Sequence, residues 1–440
     1  MFRTSVLVIL YLVSVICISA KENRGDYKWN IPRDGDDEDI PPYKGQVDDS
    51  TDKIMLKKQQ NMRRKMSVTF RKPKMTRPGG RLTERKRMSD PSLDLDEGPI
   101  LDDLLYKTGG GRCAIKETKG RVVLPDRINR KNERRAHRQN KRKGDQKKGQ
   151  NRLSKRSAVL TEDEDDLEPI VDPNFYVKIP VKIHIIYSKY GGWITALKLK
   201  RTINRLNKAY EGVLGKVVGP DTGIRFVLDE VKRTEDMKMF FYCDYYYKEL
   251  KAKYIIEPEK YINIITCDPF HDTAGWSSFP HEGPENSSIH GLFIHHEAFP
   301  GGDRFPYWNR GITLVHEIGH YLGLYHTFHN EKCHNASNPE DDDGVLDTPP
   351  ELTWAYWCDD IGRDTCTGPG ESLPTVLPYK GIDPVTNFMD YIEDKCMEQF
   401  TVGQAELLQE SIKERKPTLC WENNCQKTRK QIRKERLKVP

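Results

Sequence analysis

The sequence predicts an α+β fold in which a twisted mixed sheet packs on helices. From about residue 175 onward, strand-like and helix-like segments alternate, which favours one layered unit. Residues 21 to about 156 differ, because they carry clusters of Lys and Arg and too few apolar side chains to form a core. A short motif of three histidines and one glutamate near residue 320 contains the candidate site residues of this layered unit.

The composition limits how much of the chain can be packed. The 440 residues suffice for two or three segments and one sizeable core, but 31% are charged and only 36% are hydrophobic. Basic runs bind heparan-type polyanions or acidic lipid surfaces non-specifically, and the alternative is a solvated region without any partner. No nucleic-acid partner is expected.

Residues 1–20 have the pattern of a secretory signal peptide. Arg3 precedes one apolar run that ends in small side chains, so cleavage is expected after Ser19 or Ala20. An uncleaved signal anchor is the alternative. No later run is apolar enough for a transmembrane span, so the sequence predicts a secreted, extracellular protein.

Residues 21–156 are predicted to form a basic, largely disordered pro-segment, followed by an acidic linker at 157–172. The dibasic pair Lys155-Arg156 makes Arg156 the predicted processing site. The match is imperfect, because Leu153 lies where a convertase prefers arginine, and Lys141-Arg142 is one of several alternative sites.

The predicted catalytic domain spans 173–418, and a basic tail follows at 419–440. Alternation and β-branched residues predict strands, whereas apolar residues at helical spacing predict helices. Strands are expected at 174–188, 223–231, 260–268 and 289–299, and helices at 196–215 and 401–415.

The motif H-E-x-x-H-x-x-G-x-x-H is formed by His316, Glu317, His320, Gly323 and His326. Helical spacing places the first two histidines on one face, and Gly323 permits a left-handed turn that brings the third histidine back. Three imidazoles with one open position predict a catalytic zinc site, with Glu317 as general base for water. The alternative is a buried helix whose histidines are merely hydrogen-bonded.

Cysteine counting singles out Cys113. Of ten cysteines, one leaves with the signal peptide and eight lie in the mature part, which leaves Cys113 over. A thiolate is a strong zinc ligand, so Cys113 is a candidate switch that occupies the open zinc position in the zymogen. A free or mispaired thiol is the alternative.

The motif resembles that of the metzincin metallopeptidases, and the surrounding segments resemble the pappalysin branch. The resemblance covers roughly 180–416 and is carried by the segments 274–280 (AGWSSFP), 309–328, 343–350 (DGVLDTPP) and 387–401. It implies a zincin fold, with a twisted five-stranded sheet on an active-site helix and a mostly irregular C-terminal subdomain. It also implies that the 289–299 strand is the sheet edge to which extended substrate adds. His295 and His296, on that strand, are expected to be exposed edge residues, with a direct catalytic part as the alternative.

The resemblance assigns further residues. Met389 matches the Met-turn, whose thioether packs under the zinc. Tyr391 matches a tyrosine whose hydroxyl donates to the developing oxyanion, with a simple core tyrosine as the alternative. In the pappalysins a D-x-V-x-D-T-P motif helps to bind structural calcium. Asp343, Asp347 and Thr348 match that motif, with a solvated acidic loop as the alternative.

Four disulfides are expected in the mature part. The resemblance implies Cys333–Cys366 and Cys358–Cys396, and elimination then leaves Cys243–Cys267 and Cys420–Cys425. Asn286 and Asn335 are predicted glycosylation sites.

One position departs from the family pattern. In pappalysins that cleave before basic residues, an aspartate just ahead of a cysteine forms the floor of the substrate pocket. Lys395 precedes Cys396 here, and a cation at that floor predicts a P1′ preference for neutral or acidic residues.

Together these features predict a secreted zinc endopeptidase, made as a zymogen, that acts on extracellular proteins or peptides. One alternative is a catalytically idle secreted binding protein, which an intact Glu317 argues against. The other alternative is a polyanion-binding protein in which peptidase activity is secondary.

Overall fold

The computed structural model describes residues 49–65, 113, 122–134, 171–269, 273–331, 333, 343–366 and 381–422. The predicted signal peptide, the processing site at Arg156 and the basic tail beyond residue 422 lie outside these ranges. Within the described parts of the chain, no helix combines the length and the apolar character needed to cross a membrane.

A five-stranded mixed sheet forms the centre of the predicted catalytic domain, residues 173–418, which is called the catalytic unit below; the sheet confirms the predicted fold class. The strands are β1 (Val177–Tyr187), β2 (Ile224–Glu235), β3 (Ile262–Cys267), β4 (Gly275–Ser277) and β5 (Leu292–His295). Their order in the sheet is β2-β1-β3-β5-β4, and only β4 runs antiparallel to its neighbour. β3 and β5 are buried at every position, as expected for strands covered on both faces.

The sheet edge differs from the expected one. The 289–299 segment contributes only the four residues of β5, which lie between β3 and β4, and a 3₁₀ turn follows at His296–Ala298. The edge is β4, which pairs Gly275–Ser277 antiparallel with β5. The expectation that the 289–299 strand is the open edge was therefore wrong.

Helices pack on both sides of this sheet, and polar side chains fix where they begin. Thr195 accepts a hydrogen bond from the Lys198 amide at the start of helix Ala196–Tyr210. Thr401 and Gln404 form a capping box at the start of the closing helix, Val402–Arg415. The remaining helices are Asp49–Lys65, 126–134, Met237–Phe241, Tyr247–Tyr254, Ile312–Tyr321 and Pro417–Glu422, with 3₁₀ turns at His329–Glu331 and Cys358–Asp360.

Three disulfides stabilise the catalytic unit. The structure joins Cys243 to Cys267, Cys333 to Cys366 and Cys358 to Cys396. These are three of the four expected pairs, and the fourth, Cys420–Cys425, involves side chains outside the described residues. Each bridge is expected to contribute about 2–4 kcal/mol.

Two stretches of the pro-segment dock on the catalytic unit, although the sequence predicted a largely disordered region. In helix Asp49–Lys65, the Asp52 carboxylate accepts hydrogen bonds from Trp193 Nε1 and from the Ala196 amide, each at 2.8 Å. Gln59 donates to the carbonyl oxygens of Ser188 and Gly191. The second stretch, 122–134, buries Val122, Leu124 and Ile128 in the main hydrophobic core. Polar side chains therefore hold the first stretch, whereas apolar residues hold the second.

Candidate metal centre

The active-site helix, Ile312–Tyr321, is buried along its whole length and presents two histidines on one face. His320 Nε2 lies 3.0 Å from His316 Nε2, as the four-residue spacing requires. The helix ends at Tyr321, and Gly323 follows with φ +107°, a left-handed conformation that glycine adopts without strain. The turn brings His326 Nε2 within 3.1–3.2 Å of the other two nitrogens.

The tautomers of two of these imidazoles are fixed by backbone carbonyls. His316 Nδ1 donates to the Phe388 oxygen and His320 Nδ1 donates to the Leu324 oxygen, both at 2.7 Å. Since a neutral imidazole carries one proton, neither Nε2 atom is protonated, and the two nitrogens face one another. Their lone pairs repel at 3.0 Å unless a cation lies between them. A tetrahedral zinc with bonds of about 2.0–2.1 Å would hold its ligand nitrogens about 3.3 Å apart, so the residues fit zinc.

Cys113 from the pro-segment lies beside the three imidazoles. Its Sγ and one ring nitrogen from each histidine all lie within 4.8 Å of one another. The residue is 1% exposed and forms no disulfide, and its backbone bridges to Gly275 of the edge strand β4. This set offers three nitrogens and one sulfur, which are ligands that zinc prefers.

Glu317 is buried next to this cluster, and its Oε2 lies 3.5 Å from Cys113 Sγ. A Cβ atom at Gly275 would meet Glu317 Cγ at 2.9 Å and Oε1 at 3.0 Å. The absence of a side chain on the edge strand therefore makes room for the carboxylate. Sequence reasoning missed this role of Gly275, although the AGWSSFP segment contains it.

Met389 and Tyr391 complete the surroundings of the three imidazoles. Met389 is fully buried, and a Cβ at Gly319 of the active-site helix would meet its Sδ at 2.5 Å. The thioether therefore packs directly under the helix that carries two of the histidines. The Tyr391 ring lies 5.0 Å from the His326 ring, and its hydroxyl donates to the Cys113 carbonyl oxygen at 3.1 Å.

A largely buried ionic network lies next to the third histidine, and no pattern in the sequence predicts it. Glu351 accepts a hydrogen bond from Thr327, the residue after the third histidine, and pairs with Arg363. Arg363 also pairs with Asp383 at 2.9 Å. Burial raises the pKa of Glu351 to about 7, against the favourable charge of the guanidinium. These residues are far apart in sequence, so only the fold reveals the network.

His295 and His296 are buried, not exposed as expected. His295 Nδ1 accepts a hydrogen bond from the Glu297 amide, so its Nε2 carries the proton and donates to Asp268 at 3.1 Å. Arg304 pairs with the same carboxylate at 2.7 Å. Because His295 Nε2 and the Arg304 guanidinium both donate to the Asp268 carboxylate, these residues form a buried ionic cluster.

Lys395 and Asp394 differ in exposure. The Lys395 side chain is 40% exposed, and its ammonium group pairs with Glu393. The neighbouring Asp394 is buried, and it accepts a hydrogen bond from the Arg310 amide at 2.8 Å. The P1′ preference for neutral or acidic residues stays a prediction.

The acidic loop brings Asp343, Asp347 and Thr348 together. Thr348 Oγ1 donates to Asp343, which is buried, and burial with the nearby Asp347 charge raises the pKa of Asp343 to about 8. Asp347 Oδ2 accepts from the Gly403 amide, whereas its buried Oδ1 has no hydrogen-bond partner. A buried carboxylate oxygen of this kind is a fitting ligand for a hard cation.

Comparison with known proteins places this site in a family. A family model described as Pregnancy-associated plasma protein-A matches residues 244–413. An extracellular metalloprotease of Sordaria macrospora is 30% identical over 236 residues, which are 52% of this chain and 72% of that protein. One from Arthroderma otae is 32% identical over 235 residues, or 52% of this chain and 75% of that protein. The chain belongs to the pappalysin family of metallopeptidases.

One further relative matches over a shorter stretch, and one solved structure is also similar. An extracellular metalloprotease of Colletotrichum graminicola is 43% identical over 133 residues, which are 30% of this chain and 42% of that protein. Among solved structures, mature mirolysin of Tannerella forsythia in complex with a cleaved peptide is 22% identical, with a TM-score of 0.47. That match covers 61% of this chain and 100% of mirolysin. The family model and the metalloprotease relatives show that this pappalysin chain is a zinc metallopeptidase.

Some predicted residues lie outside the described parts of the chain or remain predictions. Asn286 is exposed, as a glycosylation site requires, whereas Asn335 and Arg156 fall outside the described ranges.

Proposed function

We propose that the chain is a secreted zinc endopeptidase that is made as a latent precursor. The observation that carries this proposal is the arrangement of Cys113 with His316, His320 and His326, beside the Glu317 carboxylate. Secretion is inferred from the pattern of residues 1–20 and from the relatives, whose names describe them as extracellular.

Zinc held by the three imidazoles would polarise a peptide carbonyl and lower the pKa of a water molecule. Glu317 takes the proton from the attacking water and later returns it to the leaving amine. Tyr391 donates to the Cys113 carbonyl in the precursor, and the same hydroxyl is free to donate to the substrate oxyanion after Cys113 leaves.

The edge strand β4 supports binding of an extended peptide. Its backbone already pairs with Cys113 at Gly275, so main-chain groups at this edge are within reach of a chain that lies over the imidazoles. Strand addition of this kind gives affinity without strict sequence demands, which suits an endopeptidase. The substrates we propose are extracellular proteins or peptides.

Latency depends on Cys113 in this proposal. Its sulfur takes the position that water needs, and its carbonyl takes the hydroxyl of Tyr391. Removal of the pro-segment, which a cut after Arg156 would begin, would free both groups.

We also propose a structural calcium ion at Asp343, Asp347 and Thr348. The buried, unpartnered Oδ1 of Asp347 and the raised pKa of Asp343 support it, because a bound cation would stabilise both carboxylates. Binding of polyanions by the basic segments has no support in the described residues.

The substitution Glu317→Gln tests the proposed chemistry. We expect the processed variant to keep one zinc per chain, measured by mass spectrometry of the metal, and to lose casein cleavage by at least 100-fold. Glu249→Gln, an exposed glutamate on helix Tyr247–Tyr254, is the matched control and should cleave normally. Undiminished casein cleavage by Glu317→Gln would refute the assignment of the base.

A further inference from the structure

The pro-segment contacts the catalytic unit at a second place besides Cys113. Three glutamates of the closing helix, Glu406, Glu410 and Glu414, are spaced four residues apart and so lie along one helix face. We call these three residues the acidic ridge. Residues 122–134 of the pro-segment lie against it.

Two basic groups of the pro-segment pair with the acidic ridge. Lys131 Nζ lies 3.0 Å from Glu406, and an Arg127 guanidinium nitrogen lies 2.7 Å from Glu410. The side chains of the first pair are only 11% and 6% exposed, so solvent and salt screen this pair weakly. The Arg127 side chain is 58% exposed, so the Lys131–Glu406 pair is the one suited to hold the segment at physiological ionic strength.

The helix of residues 126–134 also begins on the acidic ridge. The Asp126 amide, in the first turn, donates to Glu414 Oε2 at 2.7 Å. A carboxylate near a helix N-terminus satisfies an amide that has no partner inside the helix. The ridge thus binds this segment in one orientation.

Apolar contacts surround the ion pairs. Leu124 is 1% exposed, and both Leu124 and Val122 lie where a Cβ at Gly344 would be, at 2.7 and 2.9 Å. The Leu124 carbonyl accepts a hydrogen bond from Arg415, and the Val123 amide donates to the Tyr325 hydroxyl. The segment is therefore a fitted part of the core, not a surface association of charges.

We propose that the acidic ridge is a docking site for residues 122–134 that works independently of Cys113, so that the pro-segment stays bound after it is cut. A cut after Arg156 breaks one peptide bond but none of the contacts at the ridge. Because Cys113 and the docked segment are on one short stretch of chain, binding at the ridge keeps the thiol at a high effective concentration near the imidazoles. The excised pro-segment is then a non-covalent inhibitor, and full activation needs its further destruction. Inhibition by the fragment rests on the proposed peptidase function, whereas docking at the acidic ridge does not.

The test measures binding, not proteolysis. The full chain carries Glu317→Gln, which removes the proposed base, and Leu153→Arg, which gives a convertase an arginine four residues before the cut. After convertase treatment, gel filtration at about 0.15 M salt shows whether the fragment that ends at Arg156 elutes with the catalytic unit. We expect it to co-elute, and to do so in a Cys113→Ser variant as well.

Substitutions on the ridge should release the fragment. In the Cys113→Ser background, Glu406→Gln with Glu410→Gln is expected to reduce the co-eluting fragment at least tenfold. Glu235→Gln with Glu249→Gln, two exposed glutamates elsewhere, removes the same charge and should change nothing. Release of the fragment from Cys113→Ser alone, or its full retention by the ridge variant, would overturn the proposal.

A charge exchange keeps the test decisive if the ridge variant folds poorly. Lys131→Glu lies in the pro-segment and should release the fragment from a catalytic unit that is unchanged. Adding Glu406→Lys should restore retention, because the pair is then reversed. A double variant that retains no more fragment than Lys131→Glu would count against the ridge as the docking site.

Failure of the docking site and failure of the proposed function remain distinguishable. Casein cleavage by the cut Cys113→Ser, Glu406→Gln, Glu410→Gln chain with Glu317 intact, from which the fragment is released, reports the peptidase, whereas co-elution in the Glu317→Gln background reports only docking.

Discussion

Replacing Gly319 with alanine tests whether Met389 packs directly under the active-site helix. The added Cβ would lie 2.5 Å from Met389 Sδ and 3.2 Å from its Cε, far inside the ordinary contact distance of about 3.5–4.0 Å. Met389 is fully buried, so its thioether has no open space into which to move.

Two opposing effects set the magnitude. Alanine in place of glycine inside a helix stabilises by about 1 kcal/mol, whereas overpacking a tight core costs about 1–3 kcal/mol. Because the approach to Sδ is as close as 2.5 Å, the overpacking cost falls in the upper part of that range, about 2–3 kcal/mol, so we expect Gly319→Ala to lower the free energy of unfolding by about 1–2 kcal/mol. Met389→Ala alone should cost about 2–5 kcal/mol and leave space beside Gly319. In that background Gly319→Ala should stabilise by about 1 kcal/mol, so its effect changes sign.

Urea unfolding of the full chain with zinc present, followed by tryptophan fluorescence, measures all four proteins of this cycle. The expected coupling energy is about 2–3 kcal/mol, which is well above the error of additivity between distant sites. If Gly319→Ala stabilises equally in both backgrounds, Met389 does not contact the helix and the account of the Met-turn is incorrect.

Three further predictions concern other groups. Burial lowers the pKa of Lys416 from 10.5 to about 7, so the buried ammonium destabilises the fold fully below pH 7 and this cost disappears as the pH rises toward 10.5. Lys416→Met should therefore raise the free energy of unfolding by about 3–5 kcal/mol at pH 6 and much less at pH 10. Equal gains in urea titrations at both pH values would contradict this. Calcium at millimolar concentration should raise the thermal midpoint of the full chain and not that of Asp343→Asn, measured by scanning calorimetry; an equal rise in both would exclude the proposed ligand. The uncut Cys113→Ser chain should cleave a quenched peptide at least tenfold faster than the uncut parent chain, and equal rates would show that Cys113 does not maintain latency.

The sequence predicted the metal centre well because its ligands are local. His316, His320 and His326 are positioned by one helix and the turn that follows it, and both follow from spacing and from Gly323. The pairing of cysteines in the C-terminal part came from family resemblance, and the structure contains the same pairs.

Features that depend on long-range contacts were predicted less well. The edge strand β4 has only three residues, too few to show alternation, so the longer 289–299 segment was taken for the edge. The burial of His295 depends on Asp268, which lies 27 residues earlier in the chain.

The docked parts of the pro-segment were missed for a different reason. Lys and Arg dominate the composition of this region and conceal a few apolar residues at helical spacing. A signal was present at 122–128, where Leu124 and Ile128 are four residues apart and Pro125 immediately precedes the helix. Binding partners of such a segment lie in the closing helix, nearly 300 residues away, and only the fold brings them together.

X-ray absorption at the zinc edge of the uncut precursor tests the central claim most directly. We predict one zinc per chain, bound by three nitrogens at about 2.0–2.1 Å and one sulfur at about 2.3 Å, and loss of the sulfur in Cys113→Ser. A precursor without stoichiometric zinc, or zinc whose spectrum shows fewer than three imidazole nitrogens, would contradict the account.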